Sequence, residues 1–495
     1  MSSTAASLQP PETRGRAKTA RLPYGWPLYV AFGLFPVWYV LGFGALIWFF
    51  LAVPMTISLI ARSKVKVPKG FGLWMLFFLW MMITIVQVQG GGSARIFGFL
   101  YRAGLYYSAG VWCLYIYNAP KRLLPTRTIL KVMTFMWIVV MAGGWLGILN
   151  PTLQFSTLAE HLMPKSIVSN DLVYTLVHPH AADVQTFLGY QVPRPTAPFD
   201  FTNNWGGNFA LLLPFVCALW GSMKSLTRRN TLRLVAAASM IPVIFSLNRT
   251  LWLCLVVTLV YGGARFAARG RKGTFQAICA VALLGFVLLN FGPTGKLIAD
   301  RANTPHSNQG RSILYNEAAD SVGKSPLLGY GGPKPSTINP NLPPVGTQGQ
   351  FWLVFFSHGI PGASFFVGFF VYATWRTRRA KTNAGLWCHI VLLLAVVQMP
   401  FYGLLHMQIH ILAIAFALAS REMIDPDEEA PAVAPPARRA YVVSDALLPR
   451  RVPALAGANR NGHSNGNDNG NGHRPVQDSD LTPWGRAGDA PEGWS

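Results

Sequence analysis

Charge is scarce in this chain. Asp, Glu, Lys and Arg make up 12% of its 495 residues, and only 19 acidic residues stand against 42 basic ones. A soluble domain carries roughly a quarter of its residues as charges, so a single water-facing globule is excluded. With 51% of the chain apolar, a membrane class is favoured. Cysteine is nearly absent too. Cys113, Cys217, Cys254, Cys279 and Cys388 all sit in apolar runs, without a CxxC pair or a metal-ligand spacing. This pattern supports neither a disulfide framework nor a zinc site, and the thiols read as small buried apolar groups. The net charge of +23 does not imply a nucleic-acid partner, because its Lys and Arg fall in short clusters between apolar runs rather than on one face of a domain. Arg14, Arg16, Lys18 and Arg21 precede an apolar run of nearly forty residues that reads as an uncleaved pair of spans rather than a signal peptide.

What is present is a series of apolar stretches long enough to cross a bilayer as helices, which satisfy their own backbone polar groups where water is missing. About twelve are expected from the lengths a bilayer demands. They run near 25–42, 44–61, 71–90, 97–118, 128–149, 205–223, 232–248, 250–268, 274–292, 350–374, 385–402 and 405–421. The expected fold class is all-α: a polytopic membrane protein. Basic clusters at Arg62–Lys69, Lys121–Arg127, Lys224–Arg233, Arg265–Lys272 and Arg376–Lys381 each follow an even-numbered span. By the positive-inside rule the N-terminus and all these clusters are then cytoplasmic. Two large loops, about 150–204 and 293–349, fall on the outer side, and the C-terminus is cytoplasmic.

The chain therefore divides into a basic N-terminal tail (1–22), a transmembrane domain (23–424) and a C-terminal tail (425–495). The last is rich in Pro, Ala, Gly and Asn, ends near the low-complexity stretch 461–473, and is expected to be disordered and cytoplasmic. His463 and His473 in it read as spacers. No internal repeat with matching broken helices is seen, which weighs against a transporter.

Three arginines break the positive-inside pattern by lying at outer span ends. Arg194 is in RPTAPFDFTNN, Arg249 in SLNRTLWL and Arg311 in GRSILYNEAADSVGKSPLLGYG. A guanidinium is costly at a membrane surface unless paired, and its fork of donors matches phosphate oxygens. Several converging on one outer cavity make a pyrophosphate site. The alternative is that each pairs with a headgroup or with a carboxylate such as Asp200 or Glu317.

These segments, with GIPG at 359–362, resemble the O-antigen ligase and Wzy-type polymerase superfamily of bacterial envelopes. Motifs carry the likeness over about residues 190–375, and topology carries the rest. The resemblance implies a metal-independent glycosyltransferase without a cofactor, in the bacterial cytoplasmic membrane. Its donor is a glycan on undecaprenyl or decaprenyl pyrophosphate, and its acceptor is a glycan, lipid or protein hydroxyl. It assigns the pyrophosphate role to Arg249 and Arg311, with Arg194 as a third candidate.

One departure matters. Ligases of this family carry a histidine at the end of the outer loop that is thought to activate the acceptor. Here the stretch reads VGTQGQFW, with Gln348 at that place, and a neutral amide cannot act as a general base. Asp200, His306, Glu317 and His358 are the substitutes to weigh, His358 with the rival reading of an interior histidine. A transporter or flippase of a lipid-linked or anionic precursor stays open, as does a scaffold subunit. The first predicts charges near span midplanes, of which Arg102 is the clear instance.

Overall fold

The computed structural model describes residues 23–88, 92–169, 171–185, 191–270, 276 and 306–423. The N-terminal tail, the C-terminal tail and, apart from Gln276, the apolar run 274–292 lie outside the described residues.

The chain opens with α1 (Trp26–Leu28), a π turn at Tyr29–Gly33 and α2 (Phe35–Leu41). Gly42 ends α2 in the left-handed region at φ 78°, where its N–H and that of Phe43 bond back to the carbonyls of Tyr39 and Trp38. Next come α3 (Ile47–Ile60), α4 (Phe71–Ile83) with a 3-10 extension at Thr84–Gln87, α5 (Gly92–Tyr117) and α6 (Thr126–Leu149). The first outer segment folds as α7 (Leu158–Leu162), α8 (Lys165–Val168), α9 (Asp171–Val177) and an antiparallel pair, β1 (Ala182–Gln185) with β2 (Val192–Pro195). It is followed by α10 (Thr202–Ser222), α11 (Leu226–Ala238), α12 (Met240–Phe245) and α13 (Arg249–Ala267). After the undescribed stretch come α14 (His306–Lys324), α15 (Gln350–Thr377), α16 (Asn383–Gln398) and α17 (Met407–Arg421).

Four of these helices, α6, α10, α13 and α15, are long and apolar enough to cross a membrane by length and composition. Shorter apolar helices, α3, extended α4, α16 and α17, pack among them. Their surfaces are those of a membrane protein. On α3, Phe50, Val53, Ile57 and Ile60 are 60–77% exposed at helical spacing, a stripe that water would penalise and lipid accepts. At the other extreme every residue of α17 is buried, including Gln408, His410 and Arg421, so this helix lies inside the bundle.

The structure departs from the sequence expectations in two places. The run 232–248 is not one helix. It divides at Ser239 into α11 and α12, because Pro242 has no N–H to return to the Ala238 carbonyl. The outer segments are also more than loops, since one carries β1 and β2 and the other carries α14.

The feature that organises the segments around α14 is a break in α15. Gly359 takes φ 67°, ψ −168°, a conformation open essentially to glycine alone, and Pro361 follows it. The segment 326–331 docks into this gap. The N–H groups of Tyr330 and Gly331 donate to the carbonyls of Phe356 (3.1 Å) and Ser357 (2.8 Å), and Ile360 N–H donates to the Pro326 carbonyl (2.8 Å). Backbone groups freed by the break are thus satisfied inside protein, as an apolar environment requires. A small separate core of Leu314, Ala318, Val345 and Phe356 clamps α14 onto the same stretch, with Tyr315 stacked on Trp352 at 4.4 Å. A Cβ at Gly359 would run into the carbonyl oxygens of Pro326 and Leu327. Gly359→Ala is therefore expected to cost on the order of 3 kcal/mol through strain and lost docking. Thermal unfolding in detergent and proteolysis of the 326–349 segment measure it; a variant as stable and as resistant as the parent contradicts the account.

Candidate functional site

Arg194 is held on β2, in register with Asp183 of β1. Its side chain is buried: Nε donates to the Ser246 carbonyl at 2.9 Å and Nη1 to Gln185 Oε1 at 2.7 Å. It therefore ties the first outer segment to the turn that precedes α13. That turn is tight, with Leu247 at φ 49°. Asn248 caps α13, its Oδ1 accepting from Leu251 N–H at 3.1 Å while its Nδ2 donates to the Thr202 carbonyl at 3.3 Å. Arg249, first residue of α13, is in this way aimed from a turn fixed on both sides.

Arg311 projects from the first turns of α14, four residues before Tyr315, so the two share one face. Tyr315 Oη donates to the Gln348 carbonyl at 3.3 Å, and the Gln350 N–H donates to the Tyr402 carbonyl at 2.7 Å. The centre of the arrangement is Tyr402, in the turn between α16 and α17. Its hydroxyl feels the charges of both Arg194 and Arg311, and Arg249 in turn feels Arg311 and Tyr402. Three guanidiniums distant in sequence thus share one electrostatic neighbourhood. Arg311 makes no hydrogen bond or ion pair with another described residue. Gln348 is buried, its Nε2 donating to Thr347 Oγ1 at 3.3 Å.

Asp200 lies in the segment between β2 and α10. It is half-buried, its side chain makes no hydrogen bond to another described residue, and it lines a cavity with Tyr39, Trp48, Phe199 and His406. Burial pushes its carboxyl up to about 7, with His180 pulling in the opposite direction. His180 Nε2 and Asp183 Oδ1 are 2.9 Å apart. Burial disfavours the His180 cation, but Asp183 outweighs it and holds the ring above its ordinary value. Thr202 Oγ1 donates to Asp183 Oδ2 at 3.1 Å, so polar contacts run from His180 through Asp183, Thr202 and Asn248 to the turn bearing Arg249.

Two candidates are engaged elsewhere. His358 is buried, with Nδ1 2.7 Å from Thr84 Oγ1, its carbonyl accepting from Trp80 Nε1 at 3.0 Å and its ring against Phe77 and Phe99. This is an interior histidine that fastens α4 to the break in α15. Glu317 pairs with none of the three arginines: it accepts from Ser336 Oγ (2.6 Å), Thr337 N–H (2.6 Å) and Thr337 Oγ1 (2.7 Å). The His306 side chain lies outside the described ones. Sequence reasoning passed over Tyr402 and the His180–Asp183 pair. The i, i+4 spacing to Arg311 gave a signal for Tyr315; nothing local gave one for Tyr402.

Three arginines that share one neighbourhood beside a broken helix suit an anionic ligand, since guanidinium forks match phosphate oxygens. Residues 234–367 match the O-antigen ligase family, a stretch that contains Arg249, Arg311, Gln348 and the break at Gly359. This match supports membership of the O-antigen ligase and Wzy superfamily, that of membrane glycan ligases and polymerases in general. No curated protein matches it.

The Glu317 contacts generate a prediction. Burial opposes ionisation of this carboxyl, but the Ser336 and Thr337 hydrogen bonds outweigh it and hold the group below its ordinary value. The stabilisation is then full above the ordinary glutamate value and is lost as pH falls through the depressed one. Glu317→Ala should expose the 334–341 segment to protease at neutral pH, at a cost of about 2 kcal/mol for donors left unpaired. The parent should show the same exposure only on acidification; unchanged cleavage in the variant would refute the clip.

Proposed function

We propose that this protein transfers a glycan from a polyprenyl-pyrophosphate carrier to an acceptor hydroxyl at the outer face of the bacterial cytoplasmic membrane. The convergence of Arg249, Arg311 and Arg194 around Tyr402 carries the reading. In the reaction the acceptor oxygen bonds to the anomeric carbon as the bond from that carbon to the pyrophosphate oxygen breaks, and the electron pair leaves with the pyrophosphate. The leaving group already bears its charge, so fixed guanidiniums supply what the transition state needs, without a metal. Arg249 and Arg311 take the pyrophosphate. Arg194, committed to Ser246 and Gln185, steadies the turn that aims Arg249.

Asp200 is the proton acceptor in this reading. A carboxylate poised near neutrality and facing a cavity suits a general base, whereas Gln348 in the place of the family histidine orients rather than accepts. Residues 23–424 form the catalytic domain, with about twelve spans on the lengths a bilayer sets. Contacts between basic-cluster ends support the orientation with both termini cytoplasmic: Arg62 Nη1 donates to the Asn118 carbonyl at 2.7 Å, and Arg265 and Arg269 donate to the carbonyls of Arg378 and Ala380.

Purified protein given a polyprenyl-pyrophosphate glycan, with EDTA present, should release free lipid pyrophosphate. Arg249→Ala and Arg311→Ala should each lower that rate by roughly 10²-fold or more while insertion and thermal stability persist. If wild type releases none yet carries the lipid across liposomes, the protein is a flippase.

The base assignment has its own test. Since the Asp200 carboxyl must be ionised to accept a proton, the rate should rise with pH up to about 7 and level off above it. Asp200→Asn should lose on the order of 10²-fold in rate, and its remaining activity should lack that rise. An Asn variant with the parent's rate and pH profile removes Asp200 from the mechanism.

A further inference from the structure

A second set of cations lies on the other side of the α15 N-terminus. Arg95 and Arg102 are seven residues apart on α5, two turns along one face, and Lys334 reaches them from the segment after α14. Arg95 Nη2 donates to the carbonyls of Tyr330 (3.0 Å) and Gly332 (3.4 Å). Lys334 Nζ sits 4.2 Å from the centre of the Tyr330 ring. The Arg102 guanidinium rests against Gly332, where even one added methyl would collide with it. The charge of Arg95 acts on both Arg102 and Lys334, so the three share one neighbourhood.

Arg102 and Lys334 are poorly compensated. Among the described residues neither Arg102 nor Lys334 meets a carboxylate, and Arg102 Nε is buried without a hydrogen-bond partner. Burial and the charge of Arg95 both hold Lys334 below its ordinary value. A structural arginine finds carbonyls to fill its donors; Arg102 does not, though one turn of a loop would have supplied them. Like charges kept together, with a buried donor of Arg102 left open, are what an anion completes. The cluster is built by the same loop that seals α15, yet it is separate from the Tyr402 site. Gln350 stands between them, its Nε2 donating to Tyr106 Oη at 2.6 Å on one side and its N–H to the Tyr402 carbonyl at 2.7 Å on the other.

We propose that Arg95, Arg102 and Lys334 bind the phosphate of a second membrane-anchored molecule, held beside the pyrophosphate at Arg249 and Arg311. The inference rests on that reading of the first site. Lipid-borne phosphate has two sources here, a second prenyl pyrophosphate or a bilayer phospholipid. In the first case the acceptor is itself lipid-linked and the protein is a polymerase; in the second the headgroup braces the outer loop.

Native mass spectrometry of the full-length protein in detergent tests this, with farnesyl pyrophosphate and phosphatidylglycerol as probes. Three variants are compared: Arg95→Gln with Lys334→Gln; Gly332→Ala, which displaces the Arg102 end while keeping every charge and a relaxed backbone; and Arg249→Ala with Arg311→Ala. Wild type should bind two anionic lipids. The first two variants should each weaken one of them by about tenfold or more, as loss of a charged hydrogen bond does, and leave the other. The Arg249 and Arg311 double variant should do the converse. Two farnesyl pyrophosphates identify a lipid-linked acceptor, whereas one together with a phosphatidylglycerol that it cannot displace identifies the bilayer. A single bound anion in wild type, or two that ignore both Arg95/Lys334 and Gly332 changes, overturns the second site. Two anions of which neither responds to the Arg249 and Arg311 changes would instead sink the first site.

Discussion

An interrupted helix in an apolar setting leaves carbonyls and N–H groups that must find partners, and in α15 they find them in one loop. The docking of 326–331 into the gap at Gly359 is the interaction from which the segments around α14 are assembled. It fixes Tyr330 and Gly332, on which Arg95 and Lys334 rest, and through the Leu314–Phe356 core it holds α14, which carries Arg311. The same stretch of α15 is fastened from behind by His358 to Thr84. The energetic logic is local: each backbone hydrogen bond made there replaces one that no solvent would offer.

Electrostatics adds a second constraint on this scaffold. Several described acidic groups are committed or neutralised: Glu317 to Ser336 and Thr337, Asp183 to His180 and Thr202, Asp200 raised toward neutrality by burial. The guanidiniums of Arg249 and Arg311 act on one another near Tyr402. A protein that maintains such a field is arranged for an anion brought from outside.

Much of this was legible in the sequence, for definable reasons. Apolar runs reveal helices because the pattern is local, and the runs at 128–149, 205–223, 250–268 and 350–374 coincide with α6, α10, α13 and α15. Arg249 and Arg311 stood out because basic residues at outer span ends are unusual. Tyr402 did not, since its role depends on three segments meeting from far apart in the chain. Nor did α14, whose polar composition resembles a loop until its Leu314 and Ala318 face is seen against Phe356. His358 looked chemical because a histidine in an apolar helix is rare; the threonine that satisfies it is 274 positions away.

The break at Gly359 also has a mechanical meaning. A continuous rod carries torque from end to end, whereas one cut by a glycine and resealed by a loop behaves as two rods joined at a pin. The first rod, 350–358, is coupled through Gln350 to Tyr106 and Tyr402; the second, from Ile360 onward, runs to the arginines at 376–379. A twist applied to one rod is therefore taken up at the joint before it reaches the other.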